Sequence, residues 1–188
     1  MNMNSTRDNI MDLGKNYMQA VGYHSFNYKM IANQLKIKNA SIHHYFPSKE
    51  DLALAVIEKD QEDFNNLAKS VNAGSPLAKA ELMLGIYTNF FNDGQKLCVI
   101  STFESSFNNV SDKIQTAARA YTVFLIKWLT DAFEEGLQSK EFQFKGSAQG
   151  MAVMWMASLP GSILVGRMVG AEYFHQIINR LRSSLKGD

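Results

Sequence analysis

The chain has 188 residues, of which 46% are apolar and only three are proline, so it can bury a sizeable core and favours helices. Its formal net charge is +1, which excludes a uniformly polybasic nucleic-acid binder and makes any basic surface a local one. A single cysteine excludes an internal disulfide and is typical of the reducing cytoplasm, and the polar first residues predict no signal peptide.

Three helices are predicted in the first 46 residues. Apolar side chains recur at helical spacing from Thr6 to Val21, and Gly22 is expected to end that helix. Asn27 is a good N-cap for a second helix. A third helix is expected from Asn39 to Tyr45, which is too short to be stable unless another element holds it.

The third helix has one side spaced for burial and another that is polar. Ile42 and Phe46, at positions i and i+4, are predicted to pin it to a core. A short exposed helix held across a tight turn is typical of a helix–turn–helix, whose second helix fits the major groove of DNA. Between residues 29 and 49 there is no acidic residue and there are four lysines: Lys29, Lys36, Lys38 and Lys49. The alternative is an ordinary helical hairpin with a solvated basic face.

This stretch resembles the DNA-binding domain of the tetracycline-repressor (TetR) family of bacterial regulators. The resemblance covers about the first 60 residues and rests on Thr6-Arg7, Ile10, Gly22-Tyr23, Ile31-Ala32 and the run His44-Tyr45-Phe46-Pro47-Ser48-Lys49-Glu50. The family usually has glycine where this chain has Lys36, and a serine or threonine cap where it has Lys38. We therefore expect Lys36 to adopt a left-handed backbone at a cost of order 1 kcal/mol, and Asn39 to take over the cap.

The resemblance implies an all-α protein of about nine helices. Residues 1–50 would form the helix–turn–helix DNA-binding domain and residues 51–188 a C-terminal domain for effector binding and dimerisation. It further implies that a set of polar, aromatic and basic side chains contacts double-stranded DNA, namely Asn27, Tyr28, Lys29, Lys38, Asn39, Ala40, Ser41, His43, His44, Tyr45 and Lys49.

The remaining helices follow from apolar periodicity and from breaks. A capping box of Ser48 with Asp51 predicts a long helix to about Val71, followed by a break over residues 73–76. Further helices are predicted over residues 76–92, 97–107, 111–137, 146–166 and 171–185. Residues 146–166 carry no charge, and a stretch of this length could span a membrane. Its serines, glutamine, proline and glycines argue against a membrane span.

Two sets of residues are expected to act in the C-terminal domain. An apolar or aromatic effector of unknown identity is predicted to bind Phe64, Met83, Tyr87, Phe91, Cys98, Phe103, Tyr121, Phe124, Trp128, Trp155 and Met156; the alternative is that these side chains simply pack one another. Two-fold homodimerisation is predicted to use Ala157, Gly161, Gly166, Phe174, Ile178 and Leu181.

Cys98 lies in a segment that resembles one of TetR regulators that sense electrophiles or oxidants, although Leu97 replaces the usual glycine. A small buried thiol without a sensing role is the alternative.

No enzyme is expected, because neither a phosphate-binding glycine loop nor a nucleophile elbow is present, and the Glu-x-x-His motif at Glu172 occurs once. We expect no metal, no cofactor and no catalytic residue. The sequence predicts a cytoplasmic homodimeric repressor released from a near-palindromic operator by its effector; the alternative is a helical ligand-binding or scaffold protein without DNA-binding activity.

Overall fold

A computed structural model describes residues 5–71 and 74–187, apart from the side chains of residues 104–106. Eight α-helices and one 3₁₀ helix cover most of these residues, and no strand occurs among them. The α-helices are α1 (Thr6–Val21), α2 (Tyr28–Leu35), α3 (Asn39–Tyr45), α4 (Lys49–Val71), α5 (Pro76–Asn92), α6 (Asp112–Gln138), α7 (Ala148–Val169) and α8 (Ala171–Ser184). The all-α class is confirmed, and the number of helices is close to the predicted nine.

The segment predicted as a short α-helix over residues 97–107 is instead the 3₁₀ helix, Ile100–Asn109. Its first turn is set by Thr102, whose backbone N–H and hydroxyl both donate to the Val99 carbonyl, at 3.2 and 2.7 Å. Bonds three residues back have the spacing of a 3₁₀ helix, and hydroxyl side chains compete in this way with α-helical bonding.

Short-range signals start and stop several helices as predicted. Ser48 and Asp51 form the expected capping box, with the Asp51 N–H donating to Ser48 Oγ at 3.1 Å and the Ser48 N–H donating to the Asp51 carboxylate at 2.9 Å. Gly22 ends α1 with φ 83°. The predicted break begins at Ala73, which lies outside the described residues, and Ser75 caps α5.

Two compact units make up the chain. The first contains the residues up to Asp63 together with 97–121, and the second contains 64–96 and 122–188. The boundaries therefore fall inside α4, between α5 and the 3₁₀ helix, and inside α6, whereas the sequence predicted one boundary after residue 50. Residues 97–121 are linked to α1 of the first unit by two hydrogen bonds between Gln19 and Leu97: Gln19 Nε2 donates to the Leu97 carbonyl (2.9 Å), and the Leu97 N–H donates to the Gln19 backbone carbonyl (3.1 Å).

The second unit has an aromatic core at one end of α7. Phe133 and Trp155 lie edge to face with ring centroids 5.1 Å apart, and neither is exposed. Within the described residues α7 is the helix with the length and composition of a membrane span, and a third of its most apolar 18-residue stretch is buried. Because Ala152, Leu159 and Ile163 are buried in the second unit, we interpret α7 as a core helix.

Candidate nucleic-acid interface

The interface is built on α2 and α3, which are joined by a tight left-handed turn. Lys36 has φ 55° and ψ 39°, which confirms the predicted left-handed backbone, and the Ile37 N–H donates to the Ala32 carbonyl at 3.1 Å. Ile42 is fully buried and Phe46 is 2% exposed, so these two side chains anchor α3 to the core of the first unit. The prediction that Asn39 caps α3 is wrong: Asn39 is the first helical residue, Lys38 occupies the N-cap, and there is no side-chain capping hydrogen bond.

Anchoring through Ile42 leaves the opposite side of α3 open to solvent. Its exposed residues are Asn39, Ala40, Ser41, His43, His44 and Tyr45. These side chains are small, hydrogen-bonding or aromatic, and Lys29, Lys36 and Lys38 are exposed around them. A helix with such a face and basic surroundings suits the major groove, where base edges offer hydrogen bonds and the flanking phosphates attract cations.

Tyr28 lies elsewhere than predicted. It was expected to touch DNA, but it is 8% exposed and its hydroxyl lies within hydrogen-bond reach of the carbonyls of Phe46, at 3.0 Å, and Ser48. Burial, followed by the nearby charge of Asp51, raises the pKa of this hydroxyl. Tyr28 therefore positions the end of α3 against the start of α4. Its neighbour Asn27 is exposed at the N-cap of α2 and makes no side-chain capping bond.

Lys49, which was predicted to contact DNA, is half-buried at the start of α4. Its ammonium donates to the His24 carbonyl at 3.2 Å and lies 4.6 Å from the centroid of the Tyr23 ring and 5.4 Å from that of Phe26. Desolvation lowers the pKa of Lys49. The side chain thus ties α4 to the turn after α1, a contact that spans 25 residues and that no local pattern predicts.

Arg7 was missed as a candidate DNA contact. This exposed side chain in the first turn of α1 places its guanidinium 5.0 Å from the centroid of the Phe46 ring, directly after α3. Arginine stacks on aromatic faces while keeping donors for a phosphate. The Thr6-Arg7 pair matched the family pattern, so the signal was present in the sequence.

The acidic residues next to this surface are engaged by neighbours. Asp51 closes the capping box at the start of α4. Glu50 faces Lys113, with Nζ 3.5 Å from Oε1.

The side chains predicted to bind an effector fall into both compact units. Cys98, Phe103 and Tyr121 belong to the first unit. Phe103 is fully buried against Tyr23, with ring centroids 5.2 Å apart. The Tyr121 hydroxyl donates to the backbone carbonyl and the carboxylate of Asp60, both at 3.1 Å. Cys98 is partly exposed, and its Sγ lies 3.0 Å from Ser101 Oγ.

The second unit holds the other eight, Phe64, Met83, Tyr87, Phe91, Phe124, Trp128, Trp155 and Met156. Phe64 packs edge to face on Phe124 and Trp128, at centroid distances of 6.0 and 5.1 Å. Phe124 and Trp128 are half-buried, so this cluster (the Phe64 cluster) reaches the surface. Trp155, by contrast, is fully buried in the core beside Phe133.

The residues predicted at a dimer interface are divided by burial. Phe174, Ile178 and Leu181 are at most 4% exposed and belong to the core of the second unit. Gly166 also lies inside, because a Cβ there would be 2.5 Å from Phe91 Cε2. The predicted dimer contacts of these four residues are therefore replaced by packing inside the second unit. Ala157 and Gly161 lie on the outward side of α7, where the exposed side chains include Val153, Met154, Leu164, Val165, Met168 and Val169.

Metal-binding side chains do not converge in the described part of the chain: no group of three or more histidine, cysteine, aspartate or glutamate residues lies close enough to hold a metal ion.

Comparison with known proteins identifies relatives of this architecture. A sequence model described as "Bacterial regulatory proteins, tetR family" matches residues 10–56. The structure is similar to that of a TetR transcriptional regulator from Legionella pneumophila, with 28% identity, TM-score 0.86 and 99% of this chain and 100% of that chain covered. A TetR-family transcriptional regulator from Agrobacterium tumefaciens gives 26% identity, TM-score 0.88, and coverage of 96% and 97%. A search of curated proteins found no match.

Proposed function

The chain belongs to the TetR family of bacterial regulatory proteins, with its helix–turn–helix DNA-binding domain, and we propose that it is a repressor released from its operator by a small effector. The observation that carries the proposal is the exposed polar face of α3, with Ile42 buried behind it and no acidic residue from Lys29 to Lys49. Direct readout needs such a face, and the lysines around it suit phosphates. We place this activity in the cytoplasm, where the DNA is.

A second copy of the chain is the proposed partner, and members of this family are typically homodimers. The apolar exposed side of α7 supports it, since soluble monomers rarely expose large contiguous apolar patches. Two DNA-binding domains related by a two-fold axis read half-sites about one helical turn apart, so we expect a near-palindromic operator.

The DNA-binding proposal is tested by selecting duplexes from a randomised library with the purified protein. We expect enrichment of a near-palindrome and a Kd that rises steeply with salt concentration, because binding releases counterions from the phosphates. If no duplex is enriched over the starting library, the alternative of a helical ligand-binding or scaffold protein replaces this one.

The proposed effector is apolar or aromatic and contacts the Phe64 cluster. This proposal is supported by the partial exposure of Phe124 and Trp128, which lie edge to face with Phe64. Partly exposed aromatic rings give an apolar ligand a surface to bury and rings to pack against. An effector releases DNA only if it binds the DNA-incompetent conformation more tightly than the competent one.

The two tryptophans of the chain allow this site to be tested by fluorescence. Compounds that raise the melting temperature are titrated against Trp155→Phe, which keeps Trp128, and against Trp128→Phe, which keeps the core Trp155. We expect the emission change to persist in Trp155→Phe and to vanish in Trp128→Phe. The reverse pattern would move the effector away from the Phe64 cluster, and a screen without a stabilising compound would favour a regulator without a ligand.

A further inference from the structure

His43 is an exposed side chain on α3 whose ring is held on two sides. Its Nδ1 lies 3.0 Å from the backbone oxygen of Pro47. The Tyr28 ring packs against the imidazole at a centroid distance of 5.0 Å and an interplanar angle of 62°. Because the Tyr28 hydroxyl is itself bonded to the Phe46 carbonyl, the surface that supports His43 belongs to the core of the unit.

The contact with Pro47 determines which ring nitrogen carries the proton. A carbonyl oxygen can only accept a hydrogen bond, so Nδ1 must donate. A neutral imidazole has a single N–H, and its other nitrogen, Nε2, then presents a lone pair. Held in this tautomer, His43 offers a hydrogen-bond acceptor at the exposed surface of the recognition helix.

We propose that His43 is a specificity-determining residue that accepts a hydrogen bond from the exocyclic amino group of adenine or cytosine in the major groove. This inference rests on the proposed DNA-binding function. In that groove adenine N6 and cytosine N4 are the donors, whereas guanine presents O6 and N7 and thymine presents O4. Guanine O6 and N7, thymine O4 and phosphate oxygens are acceptors, and two acceptors form no hydrogen bond with each other. His43 therefore favours adenine or cytosine at one position of each half-site.

Two substitutions separate the two nitrogens of the ring. The amide of His43→Asn can occupy the place of Nδ1 and donate to Pro47, but it has no group where Nε2 lies. The longer amide of His43→Gln reaches the place of Nε2 and restores an acceptor there. Both variants keep a polar side chain on an exposed position, and thermal unfolding checks that they fold as the wild type does.

The first test is selection from the randomised duplex library. We expect the wild type and His43→Gln to enrich adenine or cytosine at one position per half-site, and His43→Asn to lose that preference while keeping the others. If His43→Asn selects the same sequence and only binds every duplex more weakly, His43 contacts phosphate and the inference fails. If the wild type enriches no duplex, the proposed function fails and this inference with it.

The second test uses the selected duplex and removes one amino group from the DNA. Adenine is replaced by purine, or cytosine by 2-pyrimidinone, which lack the donor and retain the ring. The wild type should lose about twofold to tenfold in affinity, the effect of one neutral hydrogen bond, and His43→Asn should lose none. Histidine-ring ¹⁵N spectra of the unbound wild type in mildly alkaline buffer should show a protonated Nδ1; a protonated Nε2 would overturn the proposal.

Discussion

At the scale of single residues, Lys36 shows a conflict between a backbone requirement and a side-chain benefit. Its left-handed conformation is one that glycine adopts without a steric penalty and that lysine adopts at a cost of about 1–2 kcal/mol. As a cation directly after α2, however, it suits the negative end of that helix and adds charge beside the DNA-binding surface. We therefore expect that the chain gives up some stability at Lys36 in exchange for a charge that favours DNA binding.

Replacing Lys36 by glycine should raise the free energy of unfolding by about 0.5–1 kcal/mol, since the relief of strain exceeds the added entropy of the unfolded chain. The same change should weaken binding to all DNA sequences. Urea unfolding measures the first effect and fluorescence anisotropy the second. Lys38→Gly is the control, because Lys38 has an extended backbone at φ −78° and ψ 148°. An equal gain in both variants would mean that strain at Lys36 is not the cause.

We predict that substituting Lys49 mainly lowers stability, whereas substituting Lys29 weakens only DNA binding. Lys49→Ala should lower the free energy of unfolding by about 1–2 kcal/mol, because it removes the bond to His24 and the contact with the Tyr23 ring. Lys29→Ala should leave stability unchanged, weaken binding to all sequences, and reduce the salt slope by about one. A wild-type unfolding midpoint for Lys49→Ala would contradict the first half. A reduced salt slope for that variant would add a phosphate contact to its structural role.

At the scale of elements, one polar network joins three helices of the first unit. Lys15 on α1 places its Nζ 2.5 Å from the carboxylate of Asp60 on α4, and Tyr121 on α6 donates to that same carboxylate. Tyr121 is 3% exposed, and burial together with the charge of Asp60 raises its pKa. The network orients α1 and α6 about α4, which begins directly after the DNA-binding helices.

Removing single members of this network should have unequal effects. Tyr121→Phe should lower the free energy of unfolding by only about 1 kcal/mol, because the Asp60 carboxylate keeps its ion pair with Lys15. Lys15→Ala should cost more, about 2 kcal/mol, because a largely buried carboxylate loses its cation. Lys127→Ala breaks an exposed pair with Asp131 and should leave the unfolding midpoint unchanged. Equal destabilisation by all three substitutions in urea would show that the network stabilises the fold no more than an exposed ion pair does.

At the scale of the whole molecule, the outward side of α7 determines assembly in the proposed function. Met168 is 84% exposed and Val169 58%, values unusual for large apolar side chains unless another surface covers them. Gly161 lies on this side with no atom within 4 Å of a Cβ built on it. A substitution there can therefore change the surface without disturbing the packing of the second unit.

Gly161→Glu should convert a dimer into a folded monomer, because it would bury a charge without a partner in an apolar interface. Light scattering gives the mass and urea unfolding the integrity of the fold. The monomer should bind the selected duplex more weakly, since it engages a single half-site. Gly85→Glu on α5 is the control, because that glycine is equally open. A Gly161→Glu protein that remains dimeric would place the interface elsewhere.

The sequence by itself determined the helical class, most helix ends and the exposed face of α3. Those features depend on interactions that close within three or four residues, such as the Ser48–Asp51 capping box, Gly22 at the end of α1, and Ile42 paired with Phe46. Apolar spacing predicts which face is buried but does not identify the neighbour that buries it.

Only the tertiary structure decided the direction of side chains whose partners lie far along the chain. Tyr28 turns inward to carbonyls 18 and 20 residues away, and Lys49 binds the His24 carbonyl 25 residues before it. Gln19 joins Leu97 across 78 residues and brings the 97–121 segment into the first unit. Gly166 was predicted to lie at a dimer interface, but it packs against Phe91 inside the second unit, where a Cβ would clash with the ring. In each case several orientations satisfy the local pattern, and the packing of distant elements selects one of them.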